Sequence, residues 1–164
     1  MAEIYWIETA GPGGVALMPC PCGGVRLEED LRSLRREERV DVLVSLLETD
    51  EAWELELADE ARLAEAEGME FVSHPIPDHS VPEDEDAAGR LVRRLAGRVS
   101  SGKRVAVHCR AGIGRSATIA GCILAAAGVP LDRIFERLME ARGFPVPETD
   151  EQRAWLERFA AGVS

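Results

Sequence analysis

No stretch of this 164-residue chain is long and apolar enough to cross a bilayer. The longest apolar run, Thr118 to Pro130, is short and contains glycines. The opening Met1-Ala2-Glu3-Ile4 lacks the basic segment and apolar core of a secretory signal, so a cytoplasmic location is the expectation. Internal repeats and low-complexity linkers are missing, and the length fits one domain, residues 1–164, able to bury a core. Positive charge is in deficit. Nineteen Lys+Arg face 30 Asp+Glu, a net charge of −11, which disfavours nucleic acid and membranes as partners. An anionic ligand such as phosphate must therefore be gripped locally, against the field of the whole chain. Four cysteines without a secretory signal do not suggest a disulfide framework. Cys20-Pro21-Cys22 is a lone pair, and His74, His79 and His108 are scattered, so the ligand set of a zinc site is not evident. Neither a metal nor a cofactor is expected.

What is present is an alternation of strand-like and helix-like segments. Ile4-Tyr5-Trp6-Ile7 and Val15-Ala16-Leu17-Met18 flank a Gly11-Pro12-Gly13-Gly14 turn and read as a hairpin. Leu27 to Arg39 carries its apolar residues at helical spacing. Strands are predicted over Val40 to Leu46, Met69 to His74 and Arg104 to His108, and helices over Glu83–Ser100, Arg115–Ala127, Leu131–Arg142 and Thr149–Ala161. Glu51 to Glu67 reads as helix in two pieces ending at Gly68, while the prolines of Pro75 to Pro82 exclude regular structure there. This order implies an α/β fold, a central, mostly parallel sheet with helices on both faces. Ligands in such sheets bind beyond the carboxyl ends of the strands.

That rule points to His108-Cys109-Arg110-Ala111-Gly112-Ile113-Gly114-Arg115-Ser116, between a predicted strand and a predicted helix. Each residue type has a task if the ligand is phosphate. Gly112 and Gly114 permit backbone angles closed to other residues and let N–H groups from Arg110 to Arg115 turn inward as an anion nest. The helix beginning at Arg115 adds the positive end of its dipole. Arg115 offers a planar fork for two phosphate oxygens. Cys109 sits in that cradle, where its thiolate is favoured and needs no base to become a nucleophile. Ser116 is suited to hydrogen-bond the sulfur, and His108 to orient the loop.

The pattern H-C-x-x-G-x-x-R-S resembles the signature of the cysteine-based protein tyrosine phosphatases, matching at Cys109, Gly112, Arg115 and Ser116. The chain is similar to the compact, dual-specificity-like bacterial members from about Met18 to Gln152. Pro75-Ile76-Pro77-Asp78 resembles their acid loop, with Asp78 as general acid, and Glu151-Gln152 resembles the segment whose glutamine helps position water. The resemblance implies hydrolysis of phosphotyrosine through a phosphocysteine, with phosphoserine and phosphothreonine left open. It also implies a phosphorylated protein or peptide as substrate, and phosphate or vanadate as active-site ligands. A protonated Asp78 beside a deprotonated Cys109 implies a bell-shaped pH dependence on the acidic side of neutrality.

Other readings stay open at this stage: a phosphatase of phosphoinositides or other small phosphate esters, a sulfurtransferase, or an inactive module that captures phosphoproteins. Ala111 and Ile113, rather than lysines, lean toward a phosphoprotein. Asp84 and Asp86 fit the first turn of the next helix. Arg110 adds attraction at the mouth or is simply solvated. His79 reads as an exposed loop residue, Cys122 as core, and Trp53 and Trp155 as packing residues. Cys20 and Cys22 are candidates for a reversible disulfide with Cys109 that sequence cannot decide.

Overall fold

A computed structural model describes residues 2–163. Five strands form one sheet in the order β1-β2-β5-β3-β4: β1 (Tyr5–Ile7), β2 (Gly14–Met18), β3 (Val42–Ser45), β4 (Glu70–Ser73) and β5 (Arg104–His108). Only β1 runs antiparallel, paired to β2 as Tyr5↔Leu17 and Ile7↔Val15 across the expected hairpin. The other pairings are parallel. The inner strands β2, β3 and β5 are buried along almost their whole length, which is why they read as unbroken apolar runs rather than alternations.

Alternate residues of each strand still serve different layers. Val15, Leu17, Val42, Val44, Val105 and Val107 join a core with helices α4 (Glu85–Ser100), α5 (Arg115–Ala126), α6 (Leu131–Arg142) and α7 (Asp150–Val163). Ala16, Met18, Leu43 and Ala106 face the opposite layer, with Leu27, Leu31 and Leu34 of α1 (Leu27–Arg36) and Ala64 of α3 (Glu60–Ala66). A short helix, α2 (Thr49–Glu54), follows β3. Helices thus cover both faces, as the alternation implied, and the apolar helix α5 is buried from Arg115 to Ala125.

Several limits shift by a residue or three, as helix ends do. The first helix ends at Arg36 rather than Arg39 because Arg39 turns left-handed (φ 57°) and Val40 N–H returns to Leu34 O at 2.9 Å. The 51–67 segment does split in two, with Glu56 left-handed (φ 57°) between the pieces. Asp84 is the cap of α4 rather than part of its first turn, its carboxylate accepting from Ala87 N–H at 2.9 Å. Trp155 packs as expected, stacked on Phe159, but Trp53 is 75% exposed: α2 buries only Glu51, and its indole lies on the outer side.

Register then decides where the chemistry collects. Met18, His108 and Ser45 end three adjacent parallel strands at the same level. The segments leaving β2, β5 and β3 therefore emerge together at one edge, with the 75–82 loop after β4 beside them. No helix among the described residues is long and apolar enough to cross a membrane.

Candidate active site

Central strand β5 delivers Cys109 and helix α5 begins at Arg115, so the loop between them closes over a helix N-terminus. Two glycines make the closure possible for different reasons. Gly112 is left-handed (φ 73°), and a Cβ there would sit 2.6 Å from Met18 C and Pro19 N of the strand-end beside it. Gly114 has a negative φ (−112°, ψ −86°), outside the regular helical and extended regions. Its need is room: a Cβ would lie 3.0 Å from the Gln152 amide and 3.1 Å from Glu148 Oε2.

Cys109 is buried at the floor of the loop. Gly112 N–H points at its sulfur from 3.4 Å, and the Ser116 hydroxyl lies 3.4 Å away, placed to donate to a thiolate. Burial pushes the thiol up, but the Ser116 hydroxyl and N–H, the Gly112 N–H and the Arg115 charge outweigh it and hold Cys109 below the ordinary thiol range. Cys122, in the middle of α5, is pushed well up by burial alone, and it is core as expected. All four cysteines are free thiols, and burial, Glu60 and Cys109 raise that of Cys20.

Arg115 is 1% exposed and held on three sides. Glu51 takes it in a two-pronged pair, Nη1 to Oε2 at 2.8 Å and Nη2 to Oε1 at 2.9 Å. Nη1 also donates to Ile76 O at 2.8 Å, and Nη2 to Asp78 Oδ1 at 2.9 Å. Glu51 is fixed in turn by the N-terminus of α2, accepting from Glu48 N–H at 2.9 Å. Burial works to raise the Glu51 carboxyl, but its bonds to Arg115 and Glu48 hold it below the usual carboxylate range.

His108 is fully buried beneath the loop, Nε2 against Glu60 and Nδ1 3.1 Å from Cys109 O. Burial favours the neutral ring, yet the Glu60 carboxylate prevails and raises His108 above the ordinary imidazole value. His108 is thus a strut tied to its own loop carbonyl.

The 75–82 loop lies across the mouth. Asp78 Oδ1 accepts from His79 N–H at 2.9 Å as well as from Arg115. His79 is exposed in the loop, as expected, and has carboxylate neighbours there. It is left-handed (φ 60°), with Nδ1 3.3 Å from Glu148 Oε2 and Nε2 3.6 Å from Asp78 Oδ2. Gln152 is fully buried. Its Nε2 donates to Ser80 O at 3.1 Å and its Oε1 accepts from Thr149 N–H at 3.1 Å, tying the 75–82 loop to the start of α7. A cleft of about 190 Å³ is lined by Asp78, His79, Cys109, Arg115 and Glu148, with exposed Arg110 and Ala111 at its rim and Ile113 and Gly114 beside them.

The structure therefore brings together every site residue singled out in the sequence. Glu51, Glu60 and Glu148 were missed. Each sits in an acidic stretch with nothing to set it apart, and its partner lies 64, 48 and 69 residues away.

A buried thiol under the Gly112 and Ser116 N–H groups, with a clamped arginine and a carboxylate on a covering loop, fits the cysteine-based protein tyrosine phosphatase class, on its dual-specificity side. The chain belongs to the family described as polymorphic toxin system, DSP-PTPase phosphatase, whose model matches residues 18–129. Cyclin-dependent kinase inhibitor 3 of Rattus norvegicus is 28% identical over 88 residues, a match that spans 52% of this chain and only 41% of that protein. Two solved structures share the fold. Kinase associated phosphatase, carrying a serine in place of its catalytic-site cysteine, superposes with a TM-score of 0.85 at 18% identity, covering 99% of this chain and 96% of the other. The active form of Tk-PTP superposes with a TM-score of 0.73 at 27% identity, covering 96% and 97%.

Proposed function

We propose that residues 1–164 form one catalytic domain that hydrolyses phosphotyrosine in proteins or peptides, with phosphoserine and phosphothreonine as further substrates, through a phosphocysteine on Cys109. The observation that carries this is the low-lying Cys109 thiol under the Gly112 N–H, facing the Arg115 fork. A thiolate formed without a base suits attack on phosphorus.

The phosphate enters with its equatorial oxygens toward the loop N–H groups and Arg115. It competes with Asp78 for Nη2, which turns the Asp78 carboxyl toward the leaving oxygen. The Cys109 sulfur bonds to phosphorus, the P–O ester bond breaks, and protonated Asp78 delivers its proton to the departing alcohol. Water then attacks phosphorus while the Asp78 carboxylate takes its proton. The P–S bond breaks, the thiolate returns under the Ser116 hydroxyl, and phosphate leaves. Gln152 borders Gly114 and holds the acid loop, which suits a part in placing that water. Glu148 at the mouth, with no lysine in the loop, favours a phosphoprotein over a ligand bearing several phosphates.

The test is hydrolysis of p-nitrophenyl phosphate with EDTA present, by wild type and Cys109→Ser, followed by phosphotyrosine, phosphoserine and phosphoinositide substrates. Turnover lost in the variant supports the reading. Folded wild type that binds vanadate without turnover at any pH from about 5 to 8 would instead make this a phosphoprotein-binding module.

A further inference from the structure

We propose that Arg142, at the end of α6, is a positioning residue for the phosphate loop: its guanidinium holds two loop peptides turned so that their N–H bonds face the cysteine and the phosphate. The proposal rests on residues 109–115 being the phosphate cradle.

Arg142 is the last residue of α6, stopped there by left-handed Gly143 (φ 89°), whose N–H returns to Met139 O. Its half-buried side chain runs beneath the loop, not into the cleft. Nε donates to Gly112 O at 3.2 Å and Nη2 to Ala111 O at 3.3 Å. The same guanidinium lies 4.1 Å from the Tyr5 ring centre and 5.0 Å from that of Phe144, so β1 and the residues after α6 fix it in place.

The consequence follows from peptide planarity. In a trans peptide the C=O and the next N–H point in opposite directions. Ala111 C=O shares its plane with Gly112 N–H, the donor aimed at Cys109 Sγ from 3.4 Å. Gly112 C=O shares its plane with Ile113 N–H. Pulling both carbonyls outward turns both N–H groups inward, and the cation polarises each peptide in the sense that strengthens its donor. Gly112, between the two planes, lacks the Cβ that would resist a peptide swing. Among the described residues no other side chain donates to either carbonyl. Arg142 therefore supplies the rigidity that Gly112 cannot.

The experiment compares wild type, Arg142→Ala and Arg142→Lys, with Arg137→Ala as a control on the same helix whose bond goes to Glu8 O. The readouts are kcat and KM on p-nitrophenyl phosphate, inhibition by vanadate, and the pH at which Cys109 is half-alkylated by iodoacetamide, followed on its own peptide. Arg142→Ala is expected to lose about tenfold or more in kcat/KM, to bind vanadate correspondingly less tightly, and to need a higher pH for alkylation. Arg142→Lys recovers only part, since one ammonium does not reproduce the planar fork. If Arg142→Ala folds poorly, Arg142→Lys carries the test. Wild-type vanadate inhibition and alkylation in Arg142→Ala, or complete recovery of both in Arg142→Lys, would overturn the proposal. Should wild type show no Cys109-dependent turnover, the phosphatase reading fails on its own, and the alkylation comparison still decides the role of Arg142.

Discussion

At the scale of single residues, the site works by opposing burial with a few directed bonds. Ser116 is one of these, and Ser116→Ala removes a donor to the leaving sulfur. The expected result is a higher pH for half-alkylation of Cys109 and a kcat that falls more than KM, with phosphocysteine accumulating as a pre-steady-state burst. Glu51 is another. Its folded carboxyl lies below the ordinary value, so the Arg115 pair contributes fully above the unfolded pKa of about 4.3 and is lost as pH falls through the lower folded value. Urea unfolding should show wild type losing stability in that acid window. Glu51→Gln should be weaker by about 3 kcal/mol near neutrality, because it leaves a buried guanidinium short of its counter-charge, and flatter below. The placing of Cys109, Ser116 and Arg115 together was legible in the sequence because they lie on one continuous loop whose spacing is itself the geometry. Glu51 and Glu60 were not, because what selects them from their acidic neighbours is the fold that sets them against Arg115 and His108.

At the scale of elements, two helix starts do different work. The start of α5 faces the cysteine, whereas the start of α7 holds the acid loop through Gln152 and Ser80 O. Gln152→Ala should therefore lower kcat with little change in KM, since the floor of the site stays intact while its cover loosens. Stopped-flow turnover at saturating substrate checks this. The element order, strand β5 and helix α6 were readable from periodicity, prolines and glycines. The early end of α1 and the exposure of Trp53 were not, because both depend on how the chain turns into the next layer. The tight room at Gly114 was hidden for a similar reason: that glycine also answers to Gln152 and Glu148, which arrive from a distant part of the chain.

At the scale of the whole molecule, a net charge of −11 surrounds a site proposed to take an anion. Nest, helix end and Arg115 act at contact distance, while the repelling field reaches across a Debye length, about 10 Å at 0.1 M salt. Raising sodium chloride from about 10 to 150 mM should thus increase kcat/KM for p-nitrophenyl phosphate. A substrate peptide with basic residues around its phosphotyrosine should show the reverse.

The exposed ring of Trp53 has a practical consequence. Trp6 is covered by the Arg104 guanidinium at 3.8 Å and Trp155 is buried, so a dissolved quencher such as acrylamide reaches one indole far more readily than the other two. That indole stands two residues beyond Glu51, the carboxylate that grips Arg115. Acrylamide quenching therefore reads mainly the short helix that also carries Glu51, without attaching a dye.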